Sequence, residues 1–453
     1  MIAGINVKEV MEEFGVCQSY AYKLKNLTCD WLNLISEHNE NNCQCVRIDK
    51  RFIERTILSL ALDASSPLEG IQRYMDANYG IHVSIGKISG IISKAADKAE
   101  EFDLSVNLDL IKKGANDEIF QGNKPVLTGI DLDSTYTYIL EEVPDRTGDT
   151  WQTVMEYKKD QGLNLEVSVN DAGTGLINGI PKAFPDAVVQ LDVFHALRDI
   201  GKEVSKLERA AYGAIKKAHD LVIRLTGPKP RKNTLEKLEK ANAEIEPIVN
   251  QYDTIFILFV WLRELFGFSG YSFEETMTLT GWILDEMAIA AAGREKLMKE
   301  IKSLRKSLHG VLKFLKLLYK RFDELAEQMG VSPESFRLLY HLKTCTEGTI
   351  EYKSINKRIE RLLGNKRSDA ENALNEAIHD TKRASSIVEN LNSRIRVYMN
   401  IKKVVPKKFF VLLKVYLNTR KYRRSRVNER KRKSPLELMT GQEHPDFYEI
   451  IGL

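Results

Sequence analysis

Between Asp117 and His195 the chain stops reading as helix and reads as short strands, and that switch limits the fold more than any other feature of its 453 residues. Asp117-Glu-Ile-Phe120 and Pro125-Val-Leu-Thr-Gly-Ile130 are apolar-rich runs joined by Gly122-Asn-Lys, the pattern of a hairpin. Residues 134–140, rich in Thr, Tyr and Ile, predict a third strand, and 141–149, with Pro144 and Gly148, a loop. Residues 151–161 fit an amphipathic helix, 165–169 a fourth strand ending at Asn170-Asp171, and 188–191 a fifth ending at Asp192-Val-Phe-His195. Gly173 and Gly175 predict a turn, and a short helical stretch around Ala183 follows Pro181. A three-strand meander, then helices alternating with strands, implies a mixed α/β sheet.

On both sides the texture is helical. Residues 7–24 match a helix-turn-helix: Val10 and Phe14 form an inner face, Gly15 permits the turn, and Val16, Ala21 and Leu24 seat the second helix. Gln18, Ser19, Tyr22 and Lys23 then face outward, where a major groove is read. A second unit follows. Ser66 is the expected N-cap, with Pro67 at the first helical position of a helix through Ile71, Tyr74 and Met75 that ends near Gly80. Ser84 caps the next, with Ile85, Ile88, Ile91 and Ile92 inward and Lys87 on its first turn. From about 196 to 383 the pattern is almost purely helical, with Leu304, Leu308, Leu312, Leu315 and Leu318 as a core stripe and the apolar segment around Trp261 and Trp282 as the expected heart of the bundle. The domain reading is therefore a helical DNA-binding region (1–102), a linker (103–115), the first part of an α/β core (116–200), an all-α insertion (201–383), and closing helices with a basic segment (384–453).

The formal charge of +4 hides a segregation. Residues 394–433 carry 16 Lys and Arg against one acid, Glu429, so the rest of the chain is net acidic. A basic segment on an acidic body points to nucleic acid. Tyr398, Phe409, Phe410, Tyr416 and Tyr422 are interleaved with those bases, so the segment is expected to fold. Arg394 and Arg396 are placed for phosphates near Glu389, and Arg420, Arg423 and Arg424 for DNA further along. The longest apolar run, 255–268, is broken by Arg263 and Glu264, so no membrane partner is expected. The acidic start (Glu9, Glu12, Glu13) does not read as a signal peptide. Cys17, Cys29, Cys43, Cys45 and Cys345 show neither a disulfide framework nor zinc spacing, which makes a reducing cytoplasm the expected location.

Three acids sit where chemistry is usually placed. Asp117 is on the first strand, Asp171 at the end of the fourth, and Glu389 on a helix after the helical block. Oxygen donors from three carboxylates suit Mg²⁺ or Mn²⁺, and two such ions can activate a nucleophile and stabilise a leaving oxygen in phosphoryl displacement.

Several blocks resemble DDE transposases of bacterial insertion sequences, which have a ribonuclease H-like core. Asp117-Glu-Ile-Phe with Gly122-Asn-Lys-Pro-Val-Leu-Thr-Gly-Ile-Asp131 is similar to their first hairpin, and Asp171-Ala-Gly-Thr-Gly-Leu to their second-Asp block. Gln190-Leu-Asp192-Val-Phe-His195 resembles their motif with Asp three residues before His. Val388-Glu389-Asn-Leu-Asn392-Ser-Arg-Ile-Arg396 resembles the final Glu helix, and Asn418 with Ser434-Pro-Leu-Glu-Leu-Met-Thr-Gly441 the usual ending. The resemblance implies metal-binding catalytic acids at Asp117, Asp171 and Glu389, with two ions per site. Asp131 and Asp133 remain alternatives to Asp117. Asp192 and His195 are then expected to orient a metal-ligand acid or to contact the scissile phosphate. The 217 residues between Asp171 and Glu389 fit a helical insertion like that of the Mutator-like and hAT-like groups. The family also implies double-stranded DNA as partner, nucleoid association, and a homodimer or larger assembly, because two element ends must be joined. The rival readings are a domesticated, non-catalytic DNA-binding protein and a structure-specific nuclease.

Overall fold

The computed structural model describes residues 7–40, 47–227, 233–383, 386–425 and 427–453. Cys43, Cys45 and Ser385 lie outside them. Chain contacts separate residues 1–59 from residues 60–452.

In the first unit α1 (Val7–Phe14) and α2 (Gln18–Glu40) are joined through Gly15, whose φ of +62° is the turn conformation the sequence required. Ala21 is buried, but Phe14 is 69% exposed and forms no inner face. Helix α3 (Lys50–Leu62) follows.

Helices α4 (Leu68–Tyr79) and α5 (Ile85–Ser105) form the next pair. Gly80 closes α4 with φ +62°, and the Ser84 side chain caps α5 by accepting the Lys87 amide. Two expectations are corrected. Pro67, not Ser66, occupies the N-cap position: its carbonyl accepts the Ile71 amide, while Ser66 donates its own amide to the Leu60 carbonyl. Ile88 is buried, whereas Ile85 is exposed, because the first turn of α5 stands clear of its neighbour.

The sheet contains β1 (Lys113–Gln121), β2 (Lys124–Asp131), β3 (Thr137–Glu142), β4 (Val167–Asn170) and β5 (Val188–Leu191), in the order β3-β2-β1-β4-β5. The first three form the antiparallel meander, and β4 and β5 add in parallel. Tyr138 lies across β1 and β2, so a Cβ at Gly129 would stand 2.6 Å from its ring. Helix α6 (Gly148–Asp160) packs on α7 (Thr174–Ala183). The latter begins before Gly175 and contains Pro181, which corrects the expected turn and later helix. Gly175 and Gly179 serve close packing instead. A Cβ at Gly175 would collide with the Arg146 carbonyl, and one at Gly179 would lie 2.5 Å from that of Gly148.

The helical block comprises α8 (Val193–Leu225), α9 (Thr234–Leu265), α10 (Phe273–Ala290), α11 (Glu295–Val311), α12 (Lys313–Met329), α13 (Pro333–Leu342), α14 (Ile350–Leu363) and α15 (Arg367–Asp380). The leucine stripe is buried as expected, although it runs over two helices that break at Leu312. The apolar segment around Trp261 and Trp282 does supply its heart, through Leu258, Leu262, Ile283 and Leu284, but the two tryptophans themselves stay outside it. They stack on each other at 6.2 Å and stay 44% and 50% exposed, while Phe266, Phe314, Leu284 and Met287 fill the interior. The block meets the sheet where Gln190 Nε2 donates to the Val311 carbonyl at 2.8 Å. Its two ends are stitched together by Arg383, whose carbonyl accepts the Val193 amide and whose guanidinium bonds the Phe266 carbonyl under the rings of Phe268 and Phe314.

Helices α16 (Ser386–Lys402), α17 (Lys407–Thr419), α18 (Pro435–Thr440) and α19 (Phe447–Ile450) complete the chain. Tyr398, Phe409, Phe410 and Tyr416 are buried, as the interleaving predicted. Asn418 accepts the Thr137 amide and donates to the Thr137 carbonyl, both at 2.8 Å, on the free side of β3. No described helix is long and apolar enough to cross a membrane.

Asn418→Ala is expected to leave both Thr137 groups unpaired in a buried place and lower stability by about 2–4 kcal/mol. Urea unfolding of the variant measures the loss, and a change below about 1 kcal/mol would assign the edge to another group.

Candidate active site

Strand register sets the first two acids abreast. Asn116 of β1 pairs with Asn170 of β4, so the next residues along the parallel pair are Asp117 and Asp171. On the opposite face of β1 lies a buried amide network. Asn116 Nδ2 donates to Ser168 Oγ at 2.9 Å and Asn170 Oδ1 at 3.2 Å, and Tyr138 Oη donates to Asn116 Oδ1 at 2.7 Å. This network belongs to residues of alternate parity, so it holds the strands while leaving the Asp117 face clear.

Helix α16 packs on β1 and carries the third acid. One turn after Glu389, Asn392 donates from Nδ2 to Asp117 Oδ2 at 2.6 Å. Its Oδ1 is buried without a hydrogen-bond partner. Glu389 itself meets α8: His195 Nε2 lies 2.9 Å and Arg198 Nη1 3.1 Å from its Oε1. Asp192 orients that histidine. Its Oδ1 caps α8 through the Phe194 and His195 amides, and its Oδ2 sits 3.0 Å from His195 Nδ1. Asp192, His195 and Glu389 thus form one hydrogen-bonded line.

Electrostatics record the crowding. Burial pushes the Asp117 carboxyl up to about 6, helped by the neighbouring charges of Asp171 and Glu389 and opposed by the Glu118 amide and His195. His195 is held above the usual imidazole range, chiefly by its hydrogen bond to Asp192. Asp171 accepts the Gly173 amide at 2.9 Å and lines a cleft of about 300 Å³ with Asp192, His195, Arg198 and Glu300. The three proposed ligands share one electrostatic neighbourhood. Among the described residues their oxygens do not gather within 4.8 Å, Glu389 being engaged by His195 and Arg198. Hard oxygen donors, two of whose charges help to raise the pKa of the third, Asp117, fit a divalent cation.

The alternatives to Asp117 point elsewhere. Asp131 accepts the Ser134 amide and hydroxyl at the end of β2, and Asp133 pairs with Lys113 at 3.4 Å and Lys382 at 3.1 Å. Among the basic candidates, Arg394 is half-buried and Arg396 exposed on α16. Arg420 pairs with Asp63 at 3.6 Å and stacks on Tyr416, while Arg423 and Arg424 are exposed beyond α17. Lys414, counted in the same basic segment, is buried against Asp103 at 2.7 Å and serves the fold. Gln18, Ser19, Tyr22 and Lys23 are exposed on α2, and Ser84 and Lys87 at the start of α5. Two residues were given no role from the sequence: Asn392, although it stands in the Glu389 motif, and Arg198. Each lies three positions beyond a singled-out residue, Glu389 or His195, which on a helix is the same face.

A transposase family model matches residues 117–403, from the strand aspartate through the helix bearing Glu389. Comparison with curated proteins finds no match. The solved Drosophila P element transposase strand transfer complex is 11% identical, covering 86% of this chain and 98% of that chain, with a TM-score of 0.29.

A carboxyl whose folded pKa is raised contributes a penalty that grows as pH rises from its unfolded value near 3.8 through about 6. Asp117→Asn is therefore expected to stabilise the metal-free protein at pH 7.5, by on the order of 2–3 kcal/mol, and by less at pH 5. Denaturant unfolding at the two pH values checks this, and an equal effect at both would remove Asp117 from the charge cluster.

Proposed function

The chain belongs to the DDE transposase family, and on that premise we propose that Asp117, Asp171 and Glu389 are its catalytic acids. The observation that carries this assignment is the β1–β4 register, which sets Asp117 beside Asp171, with α16 hydrogen-bonded to the same aspartate. The order β3-β2-β1-β4-β5, antiparallel then parallel, supports a ribonuclease H-like core. Helices α8 to α15 are then the insertion within 201–383, beginning as an extension of a core helix.

The three acids would hold Mg²⁺ or Mn²⁺, two ions per site, which supply Lewis-acid stabilisation of the oxygens exchanged at phosphorus. Asn392 fixes the Asp117 carboxylate through Oδ2, while the Glu118 amide donates to Oδ1 at 2.8 Å, so both oxygens are oriented. Asp192 fixes the direction of His195 and favours its protonated form, so that Nε2–H is presented to Glu389 or to a phosphate oxygen displacing it. Arg198, on the next turn, offers a planar donor to the same phosphate. The reaction is hydrolysis of a phosphodiester at an element end, followed by attack of the freed 3′-hydroxyl on target DNA.

Recognition falls to the helices before the sheet, within 1–102. The α1–Gly15–α2 and α4–Gly80–α5 pairs support the helix-turn-helix reading, with Gln18, Ser19, Tyr22, Lys23 and Lys87 as base or phosphate contacts. Arg420, Arg423 and Arg424 in 384–453 contribute sequence-independent affinity. The working form is a homodimer or larger assembly, one site for each element end.

With a duplex carrying the terminal repeat, Mn²⁺-dependent nicking is expected in the wild type and none in Asp171→Ala. Asn392→Ala should lose roughly 10–100-fold, as orienting partners of metal ligands do. Nicking that survives Asp171→Ala overturns the site, and nicked ends that never join a second duplex make the protein a nuclease instead.

A further inference from the structure

Far along the helical block from the carboxylate groove, three side chains of a different chemistry converge. His341 lies in the last turn of α13, Cys345 follows it by four residues as the chain leaves that helix, and Glu351 opens α14. The imidazole nitrogen, the thiol sulfur and a carboxylate oxygen all lie within 4.8 Å of one another. His341 Nε2 stands 3.1 Å from Glu351 Oε1, and Cys345 Sγ is held 3.5 Å from the His341 carbonyl.

Local structure delivers the three donors to one side. Cys345, at i+4, lies over the turn that carries His341. Thr349 caps α14 by accepting the Tyr352 amide, which starts the helix at Ile350, one residue before Glu351, and fixes the exit of the loop. Within the block α13 packs against α14, with Phe336, Leu339, Ile359 and Leu363 in their common core, so the two backbones are already anchored.

We propose that His341, Cys345 and Glu351 bind a divalent transition ion of the zinc class. A tetrahedral ion with bonds of about 2.0–2.3 Å needs donors roughly 3.3–3.8 Å apart, so the observed cluster closes onto one with small rotations. Thiolate and imidazole donors select zinc-like ions and discriminate against the Mg²⁺ or Mn²⁺ of an all-carboxylate groove. Three protein donors leave a fourth vertex for water, and the half-exposed cluster leaves a path to it. The ion ties α13 to α14 across the 343–349 loop, and because this geometry exists only in the folded chain, its binding energy adds to folding. The assignment is independent of the catalytic reading, since no residue is shared.

Co²⁺ added to the full-length, reduced protein in excess Mg²⁺ tests the site. The expected result is saturation at one equivalent, with a thiolate-to-cobalt charge-transfer band that Zn²⁺ displaces and a rise in unfolding temperature. The band should survive simultaneous Ser replacement of Cys17, Cys29, Cys43 and Cys45, and vanish in Cys345→Ser. Glu351→Gln, an exposed change that leaves the fold intact, should weaken Co²⁺ by at least about tenfold. A band lost in the fourfold variant, retained in Cys345→Ser, or of unchanged affinity in Glu351→Gln overturns the proposal.

Discussion

The candidate site depends first on the pairing of β1 with β4. A parallel pair has no hairpin to set its register, and because β1 is already fixed by its hairpin with β2, a slip of one residue in β4 would turn Asp171 away from the face that Asp117 occupies. Here the register is held by side chains as well as backbone. Asn116 bridges to Ser168 and Asn170, and Tyr138 reaches across two strands to Asn116. Such a buried amide network stabilises only when its members meet in one arrangement, which makes it specific as well as cohesive. Gly129 belongs to the same device, because the Tyr138 ring occupies the space its side chain would need. The polar face of the sheet thus fixes what the acidic face can do.

The third acid reaches the groove after a long detour, and Arg383 makes that return geometrically definite. By joining the first residue of α8 to the chain just before α16, and by sitting among Phe266, Phe268 and Phe314, it closes the helical block at its root. Glu389 then meets His195 and Arg198 on the helix that begins the detour. Entry and exit of the block are therefore one structural unit, and both contribute to the groove.

Much of this was legible in the chain. Alternating strand runs gave all five strands in order, and the leucine spacing identified buried positions correctly. What failed has physical causes. Gly175 was read as a turn because glycine usually marks one, whereas here it lets two helices touch. The apolar segment around Trp261 and Trp282 is core, but the two indole rings cover each other on the surface, because their helix positions face outward. Lys414 was counted in the basic segment, yet Asp103, far away in sequence, holds it inside. The motif at Glu389 singled out the third candidate acid, but Asn392 and Arg198 acquire meaning only when helix phase and partner are known together. The His341 cluster was invisible as a ligand spacing because its carboxylate comes from the following helix.

Asn418 has a consequence for how copies of this chain can meet. Its side-chain amide takes both hydrogen-bonding groups of Thr137 at the outer strand, while the junction of α11 and α12 covers β5 at the other side. An open strand edge is the surface on which a second chain adds by β-augmentation. With one border occupied by an amide that imitates a neighbouring strand and the other roofed by helices, a second copy meets helical faces and loops. The sheet is closed to growth, and its hydrogen-bonding capacity is directed inward to the groove it supports.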